Sequence, residues 1–456
     1  MTRRLPRPLR PFATSRYRLL ASALSISLFG TGVWTVALVF QVKALGGGPT
    51  DLSAIAAVNA AALLAAVLFG GVAADRIPQK RILVAVEIVK TLAVAGAAAL
   101  GLSGALELWH LAIVAALLGL ADGFFYPAYS AVLPAILPED DLLAANGVEG
   151  VLRPAFLQAA GPAAASAAIA AFAPPAAFLG ICVTQLAAIA LLLAMPAVAL
   201  ARDATAPADR DGDGVVDAPP RHPIAVLFLD LWGGVRFMVR TPWLFATLLF
   251  ATVLVLLIMG PLEVLLPFAV TRQTGGGPES FAAVLTAFGL GGALASILVS
   301  VRPLPRRYLT LMVLAWGVGA IPFALIGVTD QLWVMVIAAF VVGVTFDGAQ
   351  VIWGTLLQRR VPPTMLGRVS SLDFFVSLAL MPISMALAGP VGETIGFPLT
   401  FALAGLIPPV LAVVTIVVAR MPADEIAHPL DRRPPATAPI DLPDSGSGGP
   451  SGSLES

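Results

Sequence analysis

The chain has 456 residues, 58% of them hydrophobic and 12% charged, and its 27 basic side chains balance 27 acidic ones. Ordinary soluble domains are about 25% charged, and a mean hydropathy of +0.92 implies more apolar surface than a soluble core can hide. A soluble fold is excluded, and zero net charge gives nucleic acid no footing. The lone cysteine, Cys182, offers no disulfide framework. His110, His222 and His428 lie far apart and form no metal-ligand pattern. No cofactor or metal is expected, and no nucleophile–base set suggests an enzyme.

Apolar stretches of about 20 residues, the length that crosses a bilayer, recur along the chain. In the first part they lie near 19–41, 51–73, 82–102, 109–133, 147–171 and 174–200. In the second they lie near 243–270, 280–301, 308–328, 331–356, 369–390 and 397–419. The pattern predicts an all-α integral membrane protein with twelve transmembrane helices in two six-helix bundles. Arg3, Arg4, Arg7, Arg10, Arg16 and Arg18 precede the first stretch as they would a signal peptide. Its apolar run exceeds a signal core of about 7–15 residues, so it reads as an uncleaved first helix.

Between the sets of spans, residues 201–223 are rich in Pro, Asp and Ala and read as a cytoplasmic linker. Its DRDGDGVVD run (209–217) spaces acids as a calcium loop does, but Pro220 stands where such a loop needs glutamate. A solvated linker is the stronger reading. Ile224, Leu227, Phe228, Leu231, Val235 and Met238 then form one helical stripe, broken by Asp230, Arg236 and Arg240. This segment is expected to lie along the membrane surface. The expected organisation is a bundle over 1–200, the linker and surface helix over 201–242, a second bundle over 243–421, and a disordered tail over 422–456.

With both termini inside the cell, 23 of the 27 Lys and Arg residues fall in cytoplasmic segments. Lys43 and Arg272 remain in external loops, and Lys90 and Arg153 within helices. This is the positive-inside bias, and it predicts cytoplasmic termini. The halves also look like weak copies. A shift of 224 residues aligns Gly119 with Gly343, Leu133 with Leu357, Pro138 with Pro362 and Leu142 with Leu366. Gly161-Pro162 is echoed by Gly389-Pro390, and DRIPQKRIL after the second span by RPLPRRYL after the eighth. Their common order argues for duplication.

One charge cluster stands out: GGVAADRIPQKR (70–81) places an acid and three bases within seven residues between apolar spans. Gly71 is expected to permit close helix approach. Asp75 can meet a helix N-terminus or an arginine, and Arg76, Lys80 and Arg81 suit the anionic inner leaflet. The stretch resembles the loop 2–3 signature of the major facilitator superfamily, with Pro78 where glycine is usual. The resemblance implies that this loop is a gating latch between the two halves. A positive-inside loop without a gating role is the competing reading.

FFYPAYSAVLPAILPEDDLLAANG (124–147) and GTLLQRRVPPTMLGRVSSL (354–372) resemble the branch holding macrolide, tetracycline, multidrug and enterobactin exporters. LQAAGPAAASAA (157–168) is similar to the Gly-Pro motif of proton-coupled antiporters, although Ala165 and Ser166 replace its trailing glycines. The fourth span lacks that family's frequent arginine, having no base between His110 and Gly147. The resemblance spans roughly residues 15–420. It implies a carrier of the bacterial inner membrane, acting as a monomer in the lipid bilayer, with small molecules and protons as its partners.

Ionisable groups at membrane depth cost at least about 2.5–3.5 kcal/mol on insertion scales and so point to function. Asp122, with Tyr126 and Tyr129 at i+4 and i+7, and Asp347, followed by Gln350, are read as the most deeply placed unpaired acids, one in each half. A carboxylate withdrawn from water can take up a proton near neutrality, which a proton-coupled carrier needs. The resemblance places their helices around the central cavity. A structural hydrogen bond between helices is the alternative for each. Glu149 and Arg153 are spaced i, i+4 with the acid first, the favourable order for a self-neutralising pair, though Arg153 could also hold an anionic substrate. Glu263 and Asp373 are expected near the membrane surfaces. Trp34, Phe124, Phe125, Trp353, Phe374 and Phe375 could stack on a substrate or simply pack helices. The leading expectation is proton-coupled export of amphipathic, drug-like or siderophore-like molecules. The alternatives are a lipid flippase or uptake carrier on the same fold, or a non-transporting membrane sensor.

Overall fold

The computed structural model describes residues 7–196, 223–302 and 304–430. The linker with its 209–217 acidic run, the tail from 431 and the side chain of Asp75 lie outside the described residues. Helices account for nearly all the rest. The first half comprises α1 (Ser15–Ala44), α2 (Pro49–Arg76), α3 (Gln79–Ser103), α4 (Leu108–Ile136), α5 (Glu139–Leu152), α6 (Gly161–Ala171) and α7 (Pro174–Ala194). After α8 (Pro223–Arg240), the second half comprises α9 (Pro242–Gly260), α10 (Leu266–Thr274), α11 (Pro278–Ser300), α12 (Tyr308–Val318), α13 (Pro322–Ile326), α14 (Leu332–Arg360), α15 (Pro363–Leu378), α16 (Met381–Thr394) and α17 (Phe397–Val418). A short α18 (Met421–Ala427) follows.

Proline sets many of the starts. Pro49, Pro174, Pro242 and Pro278 open their helices, where the missing N–H has no intrahelical partner to lose. Gly104 ends α3 at φ 74°, a left-handed cap open to glycine. Among the described residues, eleven of the twelve expected spans are helices long and apolar enough to cross a membrane. The twelfth runs through α5, a π-helical segment at Arg153–Ala160, and α6. Pro154 and Pro162 bracket that widened turn, and each removes a donor from the ordinary i−4 ladder. A second π turn, Pro261–Leu265, joins α9 to α10 beside Pro261 and Pro267.

The repeat seen in the sequence is present in the packing. A side chain at Gly32 would strike the Leu157 and Phe156 carbonyl oxygens, and one at Gly260 would strike that of Ser384. A shift of 228 residues carries Gly32 to Gly260 and Phe156 to Ser384. The first and fifth spans therefore touch as the seventh and eleventh do. Likewise Gly119 lies against the Asn59 carbonyl and Gly343 against that of Phe288. Small residues let backbones approach where no hydrophobic force separates helix from lipid.

The halves meet along α2 with α16 and along α11 with α1, the π segment and α6. Among the described residues, three side-chain hydrogen bonds join them, all at the end of the bundle opposite the termini. Lys43 Nζ donates to Thr271 Oγ1 at 2.8 Å, Thr50 Oγ1 to Glu393 Oε2 at 2.7 Å, and the Gly389 backbone N–H to Ser53 Oγ at 2.6 Å. Gly389 has the Pro49 carbonyl where a side chain would sit. That end is sealed.

Two sequence expectations need correction here. Gly71 does not make the close approach: a side chain there would meet open space, whereas one at Gly70 would strike the Gly123 carbonyl oxygen of α4. Nor does disorder begin at 422. Glu425 is buried and accepts from the Thr310 backbone N–H at 2.7 Å and Thr310 Oγ1 at 3.0 Å, tying α18 beneath α12.

Candidate transport cavity

A cavity of about 260 Å³ lies between the halves. The first half supplies most of its wall, including Trp34 and Thr35 of α1, Asn59 of α2, Lys90 of α3, Asp122 of α4 and Gln185 of α7. Glu263, Met381 and Met385 enclose it from the second half. Trp34 is held against Phe178, with ring centroids 5.4 Å apart. Asn59 is spent on the Ala115 carbonyl at 2.8 Å.

The polar centre is an ion pair absent from the sequence expectations. Lys90 Nζ lies 2.5 Å from Asp122 Oδ1, so Asp122 is not an unpaired acid. Lys90 is only 4% exposed, and its ammonium sits 5.4 Å from the Phe125 ring centroid. One turn back on α3, Glu87 is buried and accepts from Ser27 Oγ at 2.6 Å. Its second oxygen has no hydrogen-bond partner among the described residues. The buried base thus pairs with Asp122 and stands one helical turn from a second buried acid. Glu87 and Lys90, three apart in an otherwise uncharged run, were the available signal: two opposite charges on one helix face inside a span need a partner.

Glu263 is the other departure. Expected only as a weak candidate near a membrane surface, it lies in the π turn, is exposed and lines the cavity. It has no hydrogen-bond or ion-pair partner among the described residues. π turns often mark functional positions, because the extra residue redirects a side chain that a regular helix would aim elsewhere.

Tyr126 and Tyr129 do not serve Asp122. Arg153 Nη1 donates to Tyr126 Oη at 3.2 Å, with the guanidinium 4.9 Å from that ring's centroid. The same guanidinium donates to Glu149 Oε1 from Nε at 2.9 Å and Nη2 at 2.7 Å. The expected i, i+4 pair is present, with Tyr126 as a third member. Tyr129 is buried and stacks on Phe125 at 5.9 Å.

Asp347 is not the counterpart of Asp122. The 224-residue shift brings it onto Gly123, and it behaves accordingly. Gly123 faces Ala66 of α2, and Asp347 faces Gly292 of α11, so each helix pair has one small member at this crossing. One residue is about 100° of helix rotation, enough to turn Asp347 from the cavity to the α11–α14 seam. There it has no hydrogen-bond or ion-pair partner among the described residues. Trp353 also leaves the candidate set. It is buried beside Trp243 and Trp316 and donates to Asp373 Oδ2 at 3.1 Å, so Asp373 is engaged within its own half. Gln350 is exposed, outside the cavity wall.

At the start of α3, Lys80 donates to the carbonyl oxygens of Leu193, at 2.9 Å, and Met195. It caps α7 in its own half. Arg76 and Arg81 are exposed.

Two related helical halves around a buried, charged cavity define a membrane transporter rather than an enzyme. A family model described as Major Facilitator Superfamily matches residues 20–381, and the chain belongs to that superfamily. It is 27% identical over 403 residues to the multidrug efflux pump Tap of Mycolicibacterium fortuitum, covering 86% of this chain and 93% of that one. It is 23% identical over 397 residues to macrolide efflux protein A of Streptococcus pyogenes, covering 86% and 92%. Among solved structures, the nucleoside transporter NupG superposes with a TM-score of 0.64 at 11% identity, covering 88% of this chain and 98% of that one. A POT family transporter in complex with a thioalcohol-conjugated peptide gives 0.64 at 14% identity, covering 88% and 95%. These structural likenesses concern the fold alone.

Proposed function

We propose that the protein exports amphipathic small molecules from the cytoplasm in exchange for protons, by alternating access. The observation that carries this reading is the cavity itself. It is walled by both halves, contains a buried ion pair that one proton would break, and lies below a sealed end. The positive-inside bias makes that sealed end external, so the state described faces inward. Lys80 is then spent within its own half, as a released latch would be, and the latch including Asp75 closes when the cytoplasmic side shuts. Apolar wall residues such as Trp34, Met381 and Met385 suit a substrate with a hydrophobic body, and efflux-pump relatives support the direction of transport.

In this reading a proton arriving at Asp122 removes the partner of Lys90. The unpaired, buried ammonium then favours a different arrangement of α3 and α4, and the differential stability of the two states supplies coupling. Asp347, lone at its helix seam, is the second coupling candidate. The test uses inside-out vesicles with an acid interior and a panel of drug-like substrates. Substrate should accumulate inside and leak away when a protonophore is added. Accumulation indifferent to the protonophore would overturn proton coupling. Asp122→Asn keeps shape but removes titration, so gradient-driven export should fail while substrate exchange without a gradient continues. Wild-type export by both Asp122→Asn and Asp347→Asn, singly and together, would exclude both acids.

A further inference from the structure

A second cavity, about 610 Å³ in volume, opens at the end of the bundle that carries the termini. Phe237 and Arg240 of α8, Trp243 of α9, Arg359 and Arg360 of α14, and Asp424 and His428 around α18 form its wall. Its charges fall into two groups. Arg360 is engaged: it donates to Asp424 Oδ2 at 2.5 Å and Oδ1 at 3.1 Å, and its guanidinium lies 4.6 Å from the Trp243 ring centroid. His428 Nδ1 lies 3.3 Å from the same carboxylate. Arg240 and Arg359 are exposed and have no acidic partner among the described residues. Among the described residues Asp424 is the only acid in the wall, so two guanidinium forks remain for an outside ligand.

We propose that this pocket binds the phosphate of an anionic phospholipid headgroup. Arginine forks match phosphate oxygens bidentately, and basic pockets at the cytoplasmic ends of helices suit anionic headgroups. The lipid source is favoured over a soluble phosphate ester by what flanks the site. Phe237, Pro242, Trp243 and Leu430 give it apolar walls, and Trp232 on the same helix as Arg240 is 68% exposed. An exposed indole on a surface helix belongs at headgroup depth. The headgroup would bridge α8 to α14, fixing the helix that follows the linker. This inference does not depend on the transport reading.

The test is binding of phosphatidylglycerol to the purified full chain in an uncharged detergent, read by native mass spectrometry and by the thermal midpoint. Phosphatidylglycerol should bind and raise the midpoint, while phosphatidylcholine, glycerol 1-phosphate and inorganic phosphate should not. At about 1 kcal/mol per surface charge, Arg240→Gln and Arg359→Gln should each weaken binding about fivefold, and together about thirtyfold. The singles carry the test should the pair fail to fold. Arg240→Lys with Arg359→Lys keeps the charge but loses the fork, so it should bind more weakly than the unaltered chain and more tightly than the double glutamine variant. Arg236→Gln, on α8 but outside the wall, should bind normally. Equal binding of phosphatidylcholine, or equal loss in Arg236→Gln, would overturn the site. A midpoint shift of the same size from either soluble phosphate would overturn the lipid source.

Discussion

Lys90 carries more than one charge's weight, because it pairs with Asp122 and lies one turn from buried Glu87. Removing one member of a buried pair costs about 3–5 kcal/mol, since the remaining charge is left uncompensated; the cavity-facing side of Asp122 moderates this. Lys90→Met should therefore lower the thermal midpoint strongly. Lys90→Met combined with Asp122→Asn should cost less than the two singles summed, because the second change removes a charge the first left stranded. Additive losses in the unfolding measurement would mean the pair is not coupled. Glu263 should behave in the opposite way. No partner is lost in Glu263→Gln, so the midpoint should hold or rise. Among the described residues, the uncompensated carboxylate is also the cavity's only acidic group from the second half. Efflux of cationic substrates should therefore fall more than efflux of neutral ones of similar size. A uniform loss across both classes would assign Glu263 to the transport cycle instead.

At the scale of helices, neighbouring glycines on α2 have different consequences. Gly70 lies against the Gly123 carbonyl oxygen and Gly71 against open space. Gly70→Ala must push α2 from α4, whereas Gly71→Ala gains helix propensity of up to about 1 kcal/mol. The first should lower the midpoint and the second leave it unchanged or raise it; the reverse order would contradict the packing described here. The π turns are a second feature at this scale. Proline pairs mark where the ladder is interrupted, but the direction in which the extra residue swings Glu263 is set by the neighbours α9 meets, Ser384 and Ala388 of α16 among them.

For the whole molecule, the closed end is a small set of contacts: Thr50 with Glu393, Ser53 with Gly389, and Lys43 with Thr271. Each hydrogen bond contributes about 0.5–1.5 kcal/mol, so losing two can shift a balanced equilibrium about tenfold or more. With Cys182 replaced by serine, a cysteine at Asn59 reports access to the cavity. Thr50→Val with Ser53→Ala should increase its labelling by an impermeant thiol reagent from outside the cell. Unchanged labelling would show that backbone packing at Gly389, rather than these hydrogen bonds, holds the end shut.

The sequence by itself determined residence in a membrane, the positions of the spans and the twofold organisation, because apolarity and repeat order are properties of the chain read in one dimension. It also revealed Glu149 with Arg153, since i, i+4 spacing on one helix is local geometry. What only the tertiary structure decided is which charges meet. Asp122 found Lys90 on another helix, Asp347 turned toward Gly292, and Trp353 took Asp373. Each outcome depends on helix rotation, and a difference of one residue turns a side chain about 100°. The sequence contained Glu87, Lys90, Asp122 and Glu263, but nothing in their order puts Glu263 in the cavity wall and Asp347 outside it. That placement comes from a π turn and from the faces that adjoining helices present to each other.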